Sequence, residues 1–112
     1  MFRRGGIYQV NLGHEGEAQA DTCPCLVVSN NISNEFSPVI TIIPLSFTHL
    51  DRIYDFETLL PGSKTGLDQE AKISSHILIT IDKANVVSNR IGFVGAGLMS
   101  QVDKALRLQL DL

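Results

Sequence analysis

The sequence predicts a mainly β protein, a small and strongly bent antiparallel barrel closed by one C-terminal amphipathic helix. Three observations lead there. Short apolar stretches alternate with breaks marked by Gly, Pro and Asn. A helical period is found at the C-terminus, where Leu98, Val102, Leu106 and Leu110 recur in steps of four. The length, 112 residues with 44% apolar and 19% charged, suits a single domain over 1–112.

Residues 7–12 alternate, with Ile7, Gln9 and Asn11 on one side and Tyr8, Val10 and Leu12 on the other, which predicts a strand with one apolar face. Residues 13–22, rich in Gly, Glu, Ala and Asp, read as a mobile polar loop. Pro24 holds Cys23 extended and opens a strand over 25–28. Three asparagines and a Ser-Pro ending predict a turn over 30–37. Residues 39–43 are β-branched throughout and predict a buried strand that Pro44 ends. A loop over 46–52, a strand over 53–59 and a turn at 61–66 follow. Apolar content predicts one buried strand over 72–81 and a last strand over 86–94, before the helix from Leu98.

A net charge of −3 argues against a general nucleic-acid coat protein, although a local basic groove is compatible with it. No run approaches the ~20 apolar residues of a membrane span, so neither anchor nor signal peptide is expected. Cys23 and Cys25 flank Pro24 and point to one face. A disulfide over so short a span is strained, and a single Cys-Pro-Cys is weak ground for zinc. Reduced thiols in a cytoplasmic protein are expected, with no metal or cofactor.

Six segments, in order, resemble the MazF/PemK/Kid toxin family over nearly the whole chain. Arg4-Gly5-Gly6-Ile7-Tyr8 looks like its first strand, and Gly13-His14-Glu15 like the start of its first active loop. Pro24-Cys25-Leu26-Val27-Val28-Ser29 is similar to its Pro-x-Leu-Val-Ile-Ser segment, and Ile43-Pro44-Leu45-Ser46 to its Pro-Ile-Thr element. Thr80-Ile81-Asp82 matches the end of Gln-x-Arg-Thr-Ile-Asp. Arg90-Ile91-Gly92 followed by Val102-Asp103-Lys104-Ala105-Leu106 looks like the last strand and closing helix. The resemblance implies an SH3-like barrel (MazF/CcdB-like) and a homodimer. It implies a sequence-selective, metal-independent endoribonuclease, an mRNA interferase, acting on single-stranded RNA. It also implies a MazE-like antitoxin with an acidic disordered tail, and promoter DNA reached only through the antitoxin complex.

Metal-free RNA cleavage needs a base for the ribose 2′-hydroxyl proton, an acid for the leaving oxygen, and donors for the charge growing at phosphorus. In the family two arginines do much of the last task, their forked donors matching phosphate oxygens. Here Cys23 stands before Pro24 and Ile79 before Thr80, at the two arginine positions. By resemblance the catalytic candidates are His14, Ser46 and Asp82, and the RNA-binding or loop positions are Glu15, Cys23, Pro24, Ile79 and Thr80. Each catalytic candidate has a plainer reading. His14 is a proton-transfer group or an exposed loop histidine. Asp82 orients or accepts a proton, or caps a turn. Ser46 donates to phosphate, or bonds the backbone at a loop start. Substitute cations are Arg52, Lys72, Lys83 and Arg90, and His76 reads as a packed or edge residue. Two functions follow: a ribonuclease toxin, active or weakened by the lost arginines, or an inactive barrel that binds an antitoxin or regulates. Both require a bent sheet that brings 14–23 beside Ser46 and Asp82 in one pocket.

Overall fold

The computed structural model describes residues 2–13 and 22–112, so the loop expected over 13–22 lies almost wholly outside the described residues. Strands β1 (Gly6–Asn11), β2 (Thr22–Val27) and β3 (Val39–Ser46) form the antiparallel centre. β4 (Glu57–Leu60), β5 (Ala71–Ser74), β6 (Ile79–Asp82) and the two-residue β7 (Gly92–Phe93) complete the sheet. Helices α1 (Asn31–Phe36) and α2 (Gly62–Thr65), a 3-10 turn (Lys83–Asn85) and the long α3 (Ala96–Leu110) join and cover it.

The strand order is β4-β5-β3-β2-β1-β7, with β6 also on β3. β2 takes one edge of β3. The other edge is shared, β6 pairing with Val39 to Ile42 and β5 with Leu45 and Ser46. Beyond β6 the chain returns to β1, where Val86 bridges Val10. The sheet therefore curls back on itself, a mostly β half-barrel with a C-terminal helix.

Alternation along β1 to β3 feeds two cores. Ile7, Leu26, Ile43 and Leu45 face Ile73, Val94 and the helix residues Met99 and Val102. Tyr8, Val10, Cys25, Val27, Ile40 and Ile42 face the opposite way, with Ile81, inside the curl. The expected apolar face of the first strand holds at Tyr8 and Val10; on the other side Gln9 and Asn11 are half-buried, and only Ile7 joins the helix-covered core.

Several boundaries also differ from expectation. β2 starts at Thr22, ahead of Pro24, and β3 runs through Pro44 to Ser46. Pro44 is tolerated where that edge of β3 changes partner, between the last step with β6 at Ile42 and the first with β5 at Leu45. The stretch 30–37 is a capped helix rather than a turn. The Asn30 side chain accepts from the Ser33 amide at 2.8 Å, and buried Asn34 donates to the Ser29 carbonyl at 2.8 Å. The expected strand over 53–59 shortens to β4, and the turn at 61–66 contains α2, which Gly66 ends at φ 82°. The single strand over 72–81 is two, split by a turn in which the Ile77 amide reaches the Ser74 carbonyl at 2.9 Å. The last strand shrinks to β7, and the helix begins at Ala96. Among the described residues no helix is long and apolar enough to cross a membrane.

Candidate functional site

Register decides which candidate residues meet. Cys25 pairs with Pro44, so Cys23, two steps earlier on β2, lies alongside Ser46 at the end of β3. The Cys23 thiol is 4.0 Å from the Leu45 carbonyl oxygen, 3.5 Å from that of Pro24, and half-buried. Pro24 pairs with Gln9 between the two cysteines. Hydrogen bonding with Cys25 pulls the Cys23 thiol down to about 7, against its burial, and a backbone hydrogen bond at Leu45 acts the same way. Cys25 is wholly buried and pushed far up by its bond to Cys23 and by desolvation. The two thiols are thus pushed in opposite directions, Cys23 down and Cys25 up.

Ser46 opens the loop after β3. Its hydroxyl accepts from the Thr48 amide at 3.4 Å and lies 3.4 Å from the Thr48 hydroxyl. That is the backbone-bonding role anticipated for it, and it leaves the side chain partly exposed. Across the ladder Ser46 meets Lys72, which is not a free cation. Lys72, 6% exposed, donates to the carbonyls of His49 at 2.9 Å and Arg52 at 3.1 Å, and touches both carboxylate oxygens of Glu57 at 3.2 Å. Glu57 also accepts from the Tyr54 amide at 3.1 Å and from the Ser74 hydroxyl. Burial would raise its pKa, but the Ser74, Tyr54 and Lys72 hydrogen bonds outweigh that and hold it below the usual value. A buried charge pair thus straps down the loop that begins at Ser46.

Asp82 is elsewhere. It pairs with Val39, at the opposite end of β3 from Ser46, and its carboxylate caps the 3-10 turn by accepting from the Ala84 amide at 2.8 Å. Thr80 is exposed beside Thr41, their hydroxyls 3.4 Å apart, while Ile79 packs against the core inside the curl. The expected single pocket is therefore corrected. The sheet unites Cys23, Pro24 and Ser46, and it holds Asp82 apart because β6 meets the far half of β3. His14 and Glu15 lie outside the described residues.

The other cations anticipated as substitutes have their own contacts. Lys83 donates to the Glu35 carbonyl at 3.4 Å, Arg52 stacks 4.6 Å over Tyr54, and Arg90 lies 5.0 Å over Phe93. His76 is exposed and edge-on to Phe56, with ring centres 4.9 Å apart. Reading the sequence missed the Lys72–Glu57 pair; its one signal was a lysine between Ala71 and Ile73 in a stretch otherwise read as buried. No cluster of three metal-ligating side chains occurs among the described residues.

A family model described as PemK-like, MazF-like toxin of type II toxin-antitoxin system matches residues 3–110. The chain is 34% identical to the endoribonuclease MazF9 of Mycobacterium tuberculosis, over all of this chain and 98% of the relative. It is 26% identical to the endoribonuclease EndoA of Bacillus subtilis, over all of this chain and 97% of the relative. In fold it is similar to a mycobacterial endoribonuclease solved with its cognate antitoxin, with TM-score 0.82 and 22% identity over all of this chain and 97% of that one. It is also similar to the toxin of a Deinococcus radiodurans MazE-MazF complex, with TM-score 0.80 and 18% identity over 99% of this chain and 97% of that one.

Proposed function

This chain belongs to the PemK-like, MazF-like toxin family of type II toxin–antitoxin systems, and from that premise we propose that it is an endoribonuclease toxin cleaving single-stranded RNA at a weakened rate. The observation that carries the reading is the match to MazF9 of Mycobacterium tuberculosis, named an endoribonuclease, which spans all of this chain and 98% of the relative. The scissile phosphate sits at the junction of β2 and β3, where Cys23 and Ser46 lie side by side. The Ser46 hydroxyl donates to a phosphate oxygen, and His14 moves the proton of the 2′-hydroxyl or of the leaving oxygen. Asp82 keeps its role as a cap. Glu15, Pro24 and Thr80 border the RNA path.

The weakening has a physical cause. Loss of one transition-state donor costs on the order of a hundred- to a thousandfold in rate. At position 23 a thiol, which offers no forked cation, stands in place of the guanidinium, and at 79 the side chain is apolar. The protein acts as a homodimer in the cytoplasm, held in check by a MazE-like antitoxin with an acidic disordered tail, and reaches promoter DNA through that complex.

The test is cleavage of a long RNA by the purified protein and three variants. The native protein cuts slowly, Ser46→Ala and His14→Ala cut at least tenfold more slowly, and Cys23→Arg cuts faster. Intact RNA with both the native protein and Cys23→Arg overturns the reading. The absence of both arginines favours a second function, an inactive barrel that still binds the antitoxin; that outcome, with antitoxin binding retained, would establish it.

A further inference from the structure

A groove of about 540 Å³ lies beside β1, lined by Phe2, Arg3, Tyr8, Ser88, Asn89 and Arg90. Its chemistry is distinctive. Arg3 precedes β1 and Arg90 precedes β7, and neither forms an ion pair among the described residues. Arg90 presents its guanidinium on the ring of Phe93, 5.0 Å from its centre, so its plane is held rather than free. Phe2 packs edge-on against Tyr8, with ring centres 5.2 Å apart and planes at 79°, which makes an aromatic wall. Ser88 fixes the far rim: its hydroxyl accepts from the Gln9 amide at 2.9 Å and donates to the Asn89 carbonyl at 2.7 Å. The groove lies close to the junction of β2 and β3, because Tyr8 pairs with Cys25, two residues from Cys23.

We propose that this groove binds one or two nucleotides of single-stranded RNA next to the cleaved bond, Arg3 and Arg90 holding the phosphates and Phe2 the face of a base. The proposal rests on the ribonuclease reading for its ligand. Paired cations beside a half-buried ring suit an unstacked nucleotide: phosphate takes the guanidinium forks, the base takes the part of the Phe2 ring left open, and a neighbouring amide such as Asn89 reads the base edge. A volume near 540 Å³ falls in the range of small-ligand sites. The groove also supplies the phosphate-binding charge that positions 23 and 79 lack.

The experiment measures binding of a fluorescent single-stranded RNA oligonucleotide to the full chain at several salt concentrations. Each phosphate contact contributes about 0.7 to the slope of log affinity against log salt for single strands. Arg3→Ala with Arg90→Ala should weaken binding at least tenfold and flatten that slope by about 1.4, and Phe2→Ala should weaken binding without changing the slope. Arg107→Ala, on the exposed side of α3, should change neither. A thermal melt of each variant checks that it folds, and Arg90→Lys keeps the charge should Arg90→Ala fail to fold. Unchanged slope and affinity in the double-arginine variant, while the native protein cleaves RNA, overturns the groove and leaves the ribonuclease reading standing. Slope loss in a protein that never cleaves supports the groove and overturns the enzyme. No RNA binding by the native protein overturns both.

Discussion

Lys72 and Glu57 are opposite charges with side chains 8% and 5% exposed, each surrounded by hydrogen bonds. Removing one partner of such a pair strands the other charge in a dry site, and this typically costs about 3–5 kcal/mol. Lys72→Met should therefore lower the stability of the chain by about that amount at neutral pH, measured by urea denaturation. The acid limb gives the sign. The Glu57 carboxyl in the native fold titrates below its ordinary value of 4.5, so its contribution is present above that pH and is lost as the pH falls through its lowered value. In Lys72→Met the same carboxyl lacks its cation, is protonated more readily, and loses its penalty on protonation. The gap between native and variant should narrow below pH 4.5; a gap that stays constant from pH 7 to pH 3 would mean that the pair is not the source of the loss.

At the scale of elements, α1 shows how three asparagines make a helix instead of a turn. Asn30 supplies the cap, Asn34 is buried against Ser29, and the Asn31 side-chain Oδ1 accepts from the Arg4 amide at 2.7 Å. Asn30→Ala should cost about 1 kcal/mol in a urea titration, with Asn30→Asp close to native; equal stability of all three would deny the cap its role. The same element marks what the sequence made legible. The β-branched run at Val39 to Ile43 and the four-residue period from Leu98 both became the expected strand and helix, since each depends on a local pattern. The turn splitting the 72–81 stretch has no Gly or Pro to announce it, and Ser74, Ser75 and His76 blend into an apolar run. The junction of Cys23 with Ser46 and the separation of Asp82 depend on which half of β3 meets which partner. That is a property of strand register between distant segments, which no local pattern encodes. Lys72 was hidden for the same reason, its partner lying fifteen residues away at Glu57.

At the scale of the molecule, β1, β2 and β3 are walls common to both cores. A defect on either side must loosen the same three strands, so the chain should unfold as one unit. Ile73→Ala in the helix-covered core and Ile40→Ala inside the curl should each cost about 2–5 kcal/mol. Far-ultraviolet dichroism and tyrosine fluorescence should give coincident transitions in both variants; separated midpoints would mean that the cores are independent.

The length of β3 has one more bearing. Ser46 and Asp82 stand seven strand positions apart along it, at most about 23 Å at roughly 3.3 Å per step. The strand thus sets a fixed spacing between the two side chains. A free mononucleotide is too small to reach from one to the other, so no ligand of that size could contact Ser46 and the Asp82 cap together.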